Sequence, residues 1–193
     1  MAVITFSRQY ASGGNEIAAR VCELLGYSLF DKTLMAKMAM EVGLTHEQIV
    51  DFTELDHRGQ SLLDRLLGRQ MTVAEVRTWQ EDIQGVRTLS VQKLNDQQAI
   101  AMVRGIVEAA YKRGNIVIVG RGGQAILAGR QGVLHVRVEA PIEHRIQRCM
   151  EQMDVVQFEA ERLIEERDRA TADYVWRYYN IDPADPLHYH LLI

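Results

Sequence analysis

The sequence predicts an α/β fold in which buried parallel strands alternate with helices. Two apolar runs of strand length, at residues 2–6 and 116–119, and a further predicted strand over residues 133–139 support this prediction. The second run is apolar at every position, which is typical of strands covered on both faces. Polar, glycine or proline residues follow each run and lead into a segment of helical pattern. This order indicates a parallel sheet with crossover helices.

Length and composition limit the classes of protein. The chain of 193 residues fits one α/β domain with an insertion. Its 26 acidic and 22 basic residues argue against a dedicated nucleic-acid binder. Cys22 and Cys149 lie far apart in predicted helices, as buried thiols in a reduced cytoplasm would. No stretch approaches the roughly 18 apolar residues of a membrane span, so we expect a soluble, cytoplasmic protein without membrane partners.

The first strand leads into a glycine-containing loop and a helix. The stretch Ser7-Arg8-Gln9-Tyr10-Ala11-Ser12-Gly13-Gly14-Asn15-Glu16 precedes a helical stripe of Ile17, Ala18, Val21, Leu24 and Leu25. Backbone N–H groups at a helix start can bind phosphate, and glycine lets an anion approach the backbone closely. The lysine of G-x-x-x-x-G-K-[ST] is absent: Gly14 takes its place, and Glu16 lies in the region of the hydroxyl residue. A phosphate loop and an ordinary strand-to-helix turn are equally good interpretations of this stretch alone.

Gly26 predicts the end of this helix, and residues 27–30 predict a second short strand. Asp31 follows either as a helix cap or as a carboxylate facing a ligand crevice. A helix is predicted over residues 32–42.

The region 45–113 has no proline and little strand pattern. We predict a helical insertion over about 45–95, with a helix capped by Thr45 and further helices over 61–67 and 72–83. A long helix over 86–111 returns the chain to the core. The insertion carries mixed charges and is a candidate homodimer surface.

The glycine cluster at residues 120–125 matches the loose dinucleotide fingerprint G-x-G-x-x-[GA], and Glu139 lies about twenty residues further on. Only residues 124–128 have room for a helix before Gly129 and Gly132 interrupt it. A crossover normally takes at least ~10–12 residues, so an NAD-dependent enzyme is the least favoured hypothesis.

Helices dominate the C-terminal part. Pro141 predicts a helix start, with Arg145 and Arg148 three residues apart on one face. A second helix is predicted over 155–179, then a turn over 180–186 and a final strand over 188–193. The apolar positions of this second helix are Phe158, Leu163, Ile164 and Val175. The six histidines lack metal-ligand spacing, so no metal site built from protein ligands is predicted.

Taken together, these segments resemble the cytidylate kinase-like family, a divergent branch of the P-loop nucleoside monophosphate kinases. Residues 4–18, 29–32, 119–123 and 166–169 carry the resemblance, and the pattern S-R-Q-Y-x-S-G-G is fairly specific. The resemblance implies a three-layer P-loop NTPase-like fold with a five-stranded parallel sheet. It also implies one domain over residues 1–193, with an arginine-bearing lid at about 150–180. The implied reaction transfers the γ-phosphoryl group of ATP, with Mg²⁺, to CMP or a related nucleoside monophosphate.

Site residues are carried over from the family by position. The implied catalytic residues are Arg8, Arg121, Arg167 and Arg169. The implied nucleotide- and phosphate-binding residues are Ser7, Ser12, Gly13, Gly14, Asn15, Glu16, Arg145 and Arg148. The implied acceptor-binding residues are Asp31, Lys37, Gly120, Gly122 and Arg177. Arginines suit this chemistry because the oxygens of a transferring phosphoryl group accept charge-assisted hydrogen bonds.

The sequence also departs from the family pattern. Arg8 is the nearest cation to the missing lysine. Val119 stands where cytidylate kinases carry an acceptor-binding aspartate, Thr171 lies near the position of a lid aspartate, and Lys37 replaces an arginine. The acceptor therefore stays open, and a nucleotide-binding or regulatory protein with little or no turnover is the alternative hypothesis.

Overall fold

The computed structural model describes residues 2–30, 34, 74–81, 87–94 and 96–193. The chain divides into two compact units, one of residues 1–30 with 110–193 and the other of residues 31–109. The helices predicted over 32–42 and 61–67 and the one capped by Thr45 lie outside the described residues, as do Asp31 and Lys37.

The elements follow one another in an α/β order. They are β1 (Val3–Arg8), α1 (Gly14–Leu25), β2 (Ser28–Phe30), β3 (Ala74–Glu81), β4 (Arg87–Leu94), α2 (Asp96–Arg113), β5 (Ile116–Val119), α3 (Gly123–Ile126), β6 (Val133–Val138), α4 (Ile142–Met153), α5 (Gln157–Tyr179), a 3₁₀ turn (Pro186–His188) and β7 (Leu191–Leu192). No helix within the described residues is long and apolar enough to cross a membrane.

A five-stranded parallel sheet forms the centre of the first unit. Its strand order is β2-β5-β1-β6-β7, and every neighbouring pair is parallel. The central strand is β1, whose Phe6 lies opposite both Val119 and Val136. The carboxyl ends of β1, β5 and β6 therefore share one edge, and the loops that follow them meet there. The predicted parallel α/β sheet is confirmed.

The two faces of the sheet are covered differently. On one face, Ile4 and Phe6 cluster with Ala18 and Cys22 of α1. On the other, α3 approaches so closely that a Cβ on Gly123 would lie 3.3 Å from Thr5 Cγ2. Helices on both faces explain why the sequence of β5 is apolar throughout.

Helix α1 begins after Gly13 and ends at Gly26, both in the left-handed region with φ of 84° and 65°. The predicted end is confirmed, but the predicted apolar stripe is only partly correct. Ala18 and Cys22 are buried, whereas Leu24 and Leu25 are 68% and 53% exposed. Because the helix starts at Gly14, its innermost positions recur four residues apart at 14, 18 and 22.

In the second unit, β3 and β4 form an antiparallel pair in which Trp79 lies opposite Leu89. The helix predicted over 72–83 and the first part of that predicted over 86–111 are therefore wrong. Valine, threonine and tryptophan favour a strand at these positions, and this preference outweighs the loose helical spacing. The rest of the returning helix is α2, in which Val103, Ile106, Val107 and Ala110 are buried, as predicted.

Helices α4 and α5 share a small core of Cys149, Ala160 and Ile164. Of the apolar positions named for α5, Ile164 and Val175 are buried, whereas Phe158 is 75% exposed. The final strand is only Leu191–Leu192, shorter than predicted, because Pro186–His188 form a 3₁₀ turn. The Asp185 side chain caps this turn by accepting a hydrogen bond from the Leu187 N–H at 2.9 Å.

Candidate functional site

The loop after β1 is a tight turn that leads directly into a helix start. The Gln9 N–H donates to Val138 O at 3.1 Å, and the Ser12 N–H donates to Gln9 O at 3.3 Å. Ala11 and Gly13 adopt left-handed backbone conformations, with φ of 59° and 84°. The first N–H groups of α1 have no intrahelical acceptor, so this end of the helix favours an anion.

Ser12 provides an independent sign of a ligand. The residue is 8% exposed, and its Oγ is buried without a hydrogen-bond partner among the described residues. Leaving a buried hydroxyl unpaired costs about 1–3 kcal/mol, so such atoms in native proteins call for a water, ion or ligand oxygen.

Two arginine side chains lie against the glycines of the loop. A Cβ on Gly13 would lie 2.7 Å from Arg148 Nη1, and a Cβ on Gly14 would lie 2.7 Å from Arg8 Cβ. Glycine is therefore the residue that admits both arginines without displacement.

Arg8 lies between two loops. Its Nε donates to Asn15 Oδ1 at 3.1 Å, and its Nη1 lies 3.0 Å from the position that a Cβ on Gly120 would occupy. The guanidinium thus lies between the start of α1 and the loop after β5. This places a fixed positive charge beside the glycine loop, although it comes from β1 and not from the helix.

Arg148 is held loosely on the outer side of the loop. Its Nη1 lies 3.8 Å from Glu16 Oε1, and the two side chains are 44% and 55% exposed. Glu16 Oε1 also accepts a hydrogen bond from Gln152 Nε2 at 2.9 Å. Exposed pairs of this kind contribute little stability, so the Arg148 side chain can move toward an anion at Gly13 at small cost.

Arg145 contacts the loop backbone. Its Nε donates to Tyr10 O at 2.8 Å, and its Nη2 forms an ion pair with Asp168 Oδ2. Asp168 Oδ1 in turn accepts from the Tyr10 N–H at 2.8 Å. Sequence reasoning did not assign Asp168 a role. The only signal was its place in the Glu166-Arg167-Asp168-Arg169 stretch of the family resemblance.

The loop after β5 is braced by tyrosines of α5. Gly120, Arg121 and Gly122 are consecutive left-handed residues, with φ of 71°, 59° and 67°. A Cβ on Gly122 would lie 2.3 Å from the Tyr179 ring, so the ring packs directly on the glycine backbone. The Tyr179 hydroxyl lies 3.4 Å from that of Tyr174. Burial of Tyr174 raises the pKa of its phenol well above the usual value, as does Tyr179, while nearby Arg121 acts in the opposite direction.

The other predicted arginines lie further along α5. Arg167 is half-buried, and its carbonyl accepts from Thr171 Oγ1 at 2.9 Å. Arg169 is exposed and forms an ion pair with Glu165 of the same helix at 2.6 Å. The Arg177 guanidinium lies 5.4 Å from the centroid of the Tyr178 ring.

Ser7 is buried on the sheet, where its Oγ accepts a hydrogen bond from Arg137 Nη1 at 3.3 Å. Arg137 Nε also donates to Glu139 Oε1 at 2.6 Å. Sequence reasoning missed Arg137 and named Glu139 only for the dinucleotide fingerprint, because the positions of both residues beside the site depend on the pairing of β6 with β1.

An open groove of about 410 Å³ adjoins the loop and the carboxyl end of β6. It is lined by Gln9, Glu139, Ala140, Pro141, Leu192 and Ile193. The volume lies in the range of small-molecule sites.

A sequence model of the cytidylate kinase-like family matches residues 3–193. The chain belongs to the cytidylate kinase-like family. The predicted resemblance and P-loop NTPase-like α/β fold are thereby confirmed, and membership supports a nucleotide kinase in general. Helix α3 has only four residues, which is shorter than the sheet-spanning helix that the dinucleotide hypothesis requires.

Solved structures provide a second comparison. The chain is similar to an uncharacterized protein from Eubacterium ventriosum, with 16% identity and a TM-score of 0.62 over 100% of this chain and 87% of that one. A shikimate kinase from Acinetobacter baumannii in complex with shikimate has 13% identity and a TM-score of 0.44, over 100% of this chain and 83% of that one. TT1252 from Thermus thermophilus has 21% identity and a TM-score of 0.43, over 88% of this chain and 79% of that one. The first likeness concerns the fold alone, and the other two are too weak to support an argument. No curated protein matches the sequence.

Proposed function

We propose that this family member is a nucleotide kinase that transfers the γ-phosphoryl group of ATP to CMP or a related nucleoside monophosphate. The observation that carries the proposal is the glycine loop at the start of α1, where Ser12 Oγ is buried without a partner and Arg8 and Arg148 lie against the backbone. Family membership supports the same reaction class.

The loop binds the donor phosphates through its backbone. Free N–H groups at the start of α1 meet phosphate oxygens, and Ser12 Oγ donates a further hydrogen bond. Arg8 supplies the positive charge that a phosphate-loop lysine would otherwise supply, because its guanidinium reaches from β1 to the start of α1. Arg148 adds a second charge above Gly13.

Magnesium would bind with the nucleotide. Mg²⁺ takes oxygen ligands and relies largely on substrate phosphates and water, so few protein ligands are needed. Ser12 Oγ is the loop oxygen that would fit it, since it is buried without a partner among the described residues, whereas Asn15 Oδ1 already accepts a hydrogen bond from Arg8 Nε. When bound, the ion would neutralise charge on the transferring phosphoryl group.

The acceptor would lie toward the loop after β5. Arg121 lies in that loop between Gly120 and Gly122, which add no side chains of their own to it. Arg167 and Arg169 of α5 remain proposed catalytic residues. Asp31, Lys37 and Arg177 remain proposed contacts to the acceptor. The groove beside Gln9 and Pro141 offers room for the donor base.

The alternative function is nucleotide binding without turnover, and the missing lysine favours it. A charge-assisted hydrogen bond is worth about 1.5–3 kcal/mol, and each 1.36 kcal/mol of barrier changes the rate about tenfold. If Arg8 did not compensate, transfer would be slower by roughly one to two orders of magnitude.

The test is release of ADP from ATP and Mg²⁺ in the presence of CMP, dCMP, UMP, AMP or GMP, with an ATP-induced thermal shift measured on the same sample. We expect release that depends on one acceptor. Arg8→Ala and Arg121→Ala should each lower it about tenfold or more. Arg20→Ala is the matched control, because Arg20 forms an exposed pair with Glu23 on the surface of α1. A thermal shift without acceptor-dependent release would establish the binding function in place of the kinase.

A further inference from the structure

We propose that Asp168 is a positioning residue, which with Arg145 fixes the shape of the phosphate loop by binding both backbone polar groups of Tyr10. This inference rests on the proposed function, because it concerns the same loop. It assigns Asp168 a role that neither the loop sequence nor the fold alone provides.

The geometry forms a closed ring of hydrogen bonds. Asp168 Oδ1 accepts from the Tyr10 N–H at 2.8 Å, while Asp168 Oδ2 pairs with Arg145 Nη2. Arg145 Nε completes the ring by donating to Tyr10 O at 2.8 Å. The carboxylate offers only acceptors and the guanidinium only donors, so each group can bind only one side of the Tyr10 backbone.

Burial makes the ring strong. The Arg145 side chain is 6% exposed and that of Asp168 is 34% exposed. Charged hydrogen bonds away from water are stronger than those on the surface, and a buried charge without its partner is costly. Breaking the ring would therefore leave the buried guanidinium of Arg145 without its charged partner.

Apolar packing holds the same residue from its other side. Tyr10 and Ala11 pack against the α4–α5 core of Cys149, Ala160 and Ile164. The ring and this packing together hold the residue next to Ala11, whose left-handed φ of 59° is unfavourable for a side chain with a Cβ. Without that restraint, the loop would relax toward ordinary backbone conformations and turn the Ser12 hydroxyl and the following N–H groups away from a phosphate.

The consequence is a specific kinetic signature. A loop that must be ordered by the ligand binds it less tightly, because ordering consumes part of the binding free energy. Loss of the Asp168 carboxylate should therefore raise the KM for ATP more than it lowers kcat. Reduced stability alone would lower the amount of active enzyme but would leave KM unchanged.

The experiment compares Asp168→Asn with three other proteins: wild type, Asp173→Asn and Val136→Ala. Asp173 is an exposed carboxylate on the same helix, and Val136 is a buried sheet residue in the α1 core. Asp173→Asn controls for the change of charge, and Val136→Ala controls for loss of stability. For each protein, the KM and kcat for ATP, the melting temperature and the exchange rate of the Tyr10 amide are measured.

We expect Asp168→Asn to raise the KM for ATP about tenfold, the change that loss of about 1.4 kcal/mol of binding would produce. The Tyr10 amide should exchange at least several times faster, while the Ser28 amide, bonded to Asn115 O, should keep its rate. Asp173→Asn should match wild type. If Asp168→Asn does not fold, Arg145→Lys tests the same ring, because lysine keeps the charge but has one nitrogen in place of the two, Nε and Nη2, that bond to Tyr10 O and Asp168.

The proposal is overturned if Val136→Ala raises the KM as much as Asp168→Asn at an equal loss of melting temperature. It is also overturned if the Tyr10 amide exchanges at the wild-type rate in Asp168→Asn and Arg145→Lys. Failure of the proposed function looks different: none of the proteins would turn over ATP, yet the amide of Tyr10 would still respond to Asp168→Asn.

Discussion

Gly13 and Gly26 lie at the two ends of α1, and substituting each of them distinguishes the cost of backbone strain from the loss of a ligand contact. Gly13 and Gly26 both have positive φ, but only Gly13 lies against a side chain, that of Arg148. We expect Gly13→Ala and Gly26→Ala each to cost about 1–2 kcal/mol in unfolding free energy, since both place a Cβ in the left-handed region. Only Gly13→Ala should also abolish the thermal shift caused by ATP.

Denaturant unfolding and ATP titration of both variants would check this expectation. Equal ATP shifts in Gly13→Ala, Gly26→Ala and wild type would show that the backbone at Gly13 does not meet the phosphates.

At the scale of elements, the end of α5 is held against the loop after β5 by Tyr179 on Gly122. Gly122→Ala would place a Cβ 2.3 Å from the Tyr179 ring, so the helix end or the loop must shift. We expect Gly122→Ala to be more destabilising than Gly26→Ala, which meets nothing within 4 Å. In a double-mutant cycle with Tyr179→Ala, the two effects should fall short of additivity by about 0.5–3 kcal/mol. Additive effects would mean that the tyrosine and the glycine do not restrain each other.

The edge strand β7 is attached to β6 through two histidines. The His135 N–H donates to His190 Nδ1 at 2.9 Å, the rings stack at 5.0 Å, and Thr5 Oγ1 lies 2.7 Å from His135 Nδ1. Burial lowers the pKa of His135 below its usual value, and His190 lowers it further, while a hydrogen bond to the backbone of Leu127 acts in the opposite direction. As the pH falls, His135 is therefore protonated more readily in the unfolded chain than in the folded chain.

This difference makes stability depend on pH. The contribution of His135 is complete above the ordinary histidine pKa of about 6.5 and is lost as the pH falls toward the lowered folded value. We expect the melting temperature to fall between pH 7.5 and pH 5.5, and His135→Asn to reduce that fall. His144→Asn, which changes an exposed histidine of α4, should retain it. The interpretation would be wrong if both variants behaved alike.

At the scale of the whole molecule, the two cysteines report on unfolding. Cys22 and Cys149 are 8% and 1% exposed, and burial raises the pKa of each thiol, so little reactive thiolate is present in the folded state. We expect a colorimetric thiol reagent to react with both only as fast as the first unit unfolds. An exposed reference thiol, Ala184→Cys, should react at once, and comparably fast reaction of the native thiols would contradict the buried assignment.

The sequence predicted those parts of the molecule whose cause is local. β5 was found because a strand covered on both faces is apolar without interruption, and β1 and β6 were found because they are mainly apolar and lead into a loop and a helix. The glycine loop before α1 was found because its glycines and its helix are neighbours in the chain. Strands β3 and β4 were mistaken for helices, since their apolar residues fit either period over a short stretch. Asp168 and Tyr179 could not be assigned roles because their partners, Tyr10 and Gly122, are brought to them only by the completed fold.

The central place of β1 has a consequence for biosynthesis. β1 pairs only with β5 and β6, and the Tyr10 amide bonds to a carboxylate 158 residues further along the chain. At translation rates of about 5–20 residues per second, roughly 8–30 s separate synthesis of the loop from synthesis of its last partner. For the greater part of that interval the nascent chain exposes β1 without either neighbour, because the strands that pair with it begin only at Ile116 and Val133. The backbone of Tyr10 gains its last restraint only when Asp168 of α5 has emerged from the ribosome.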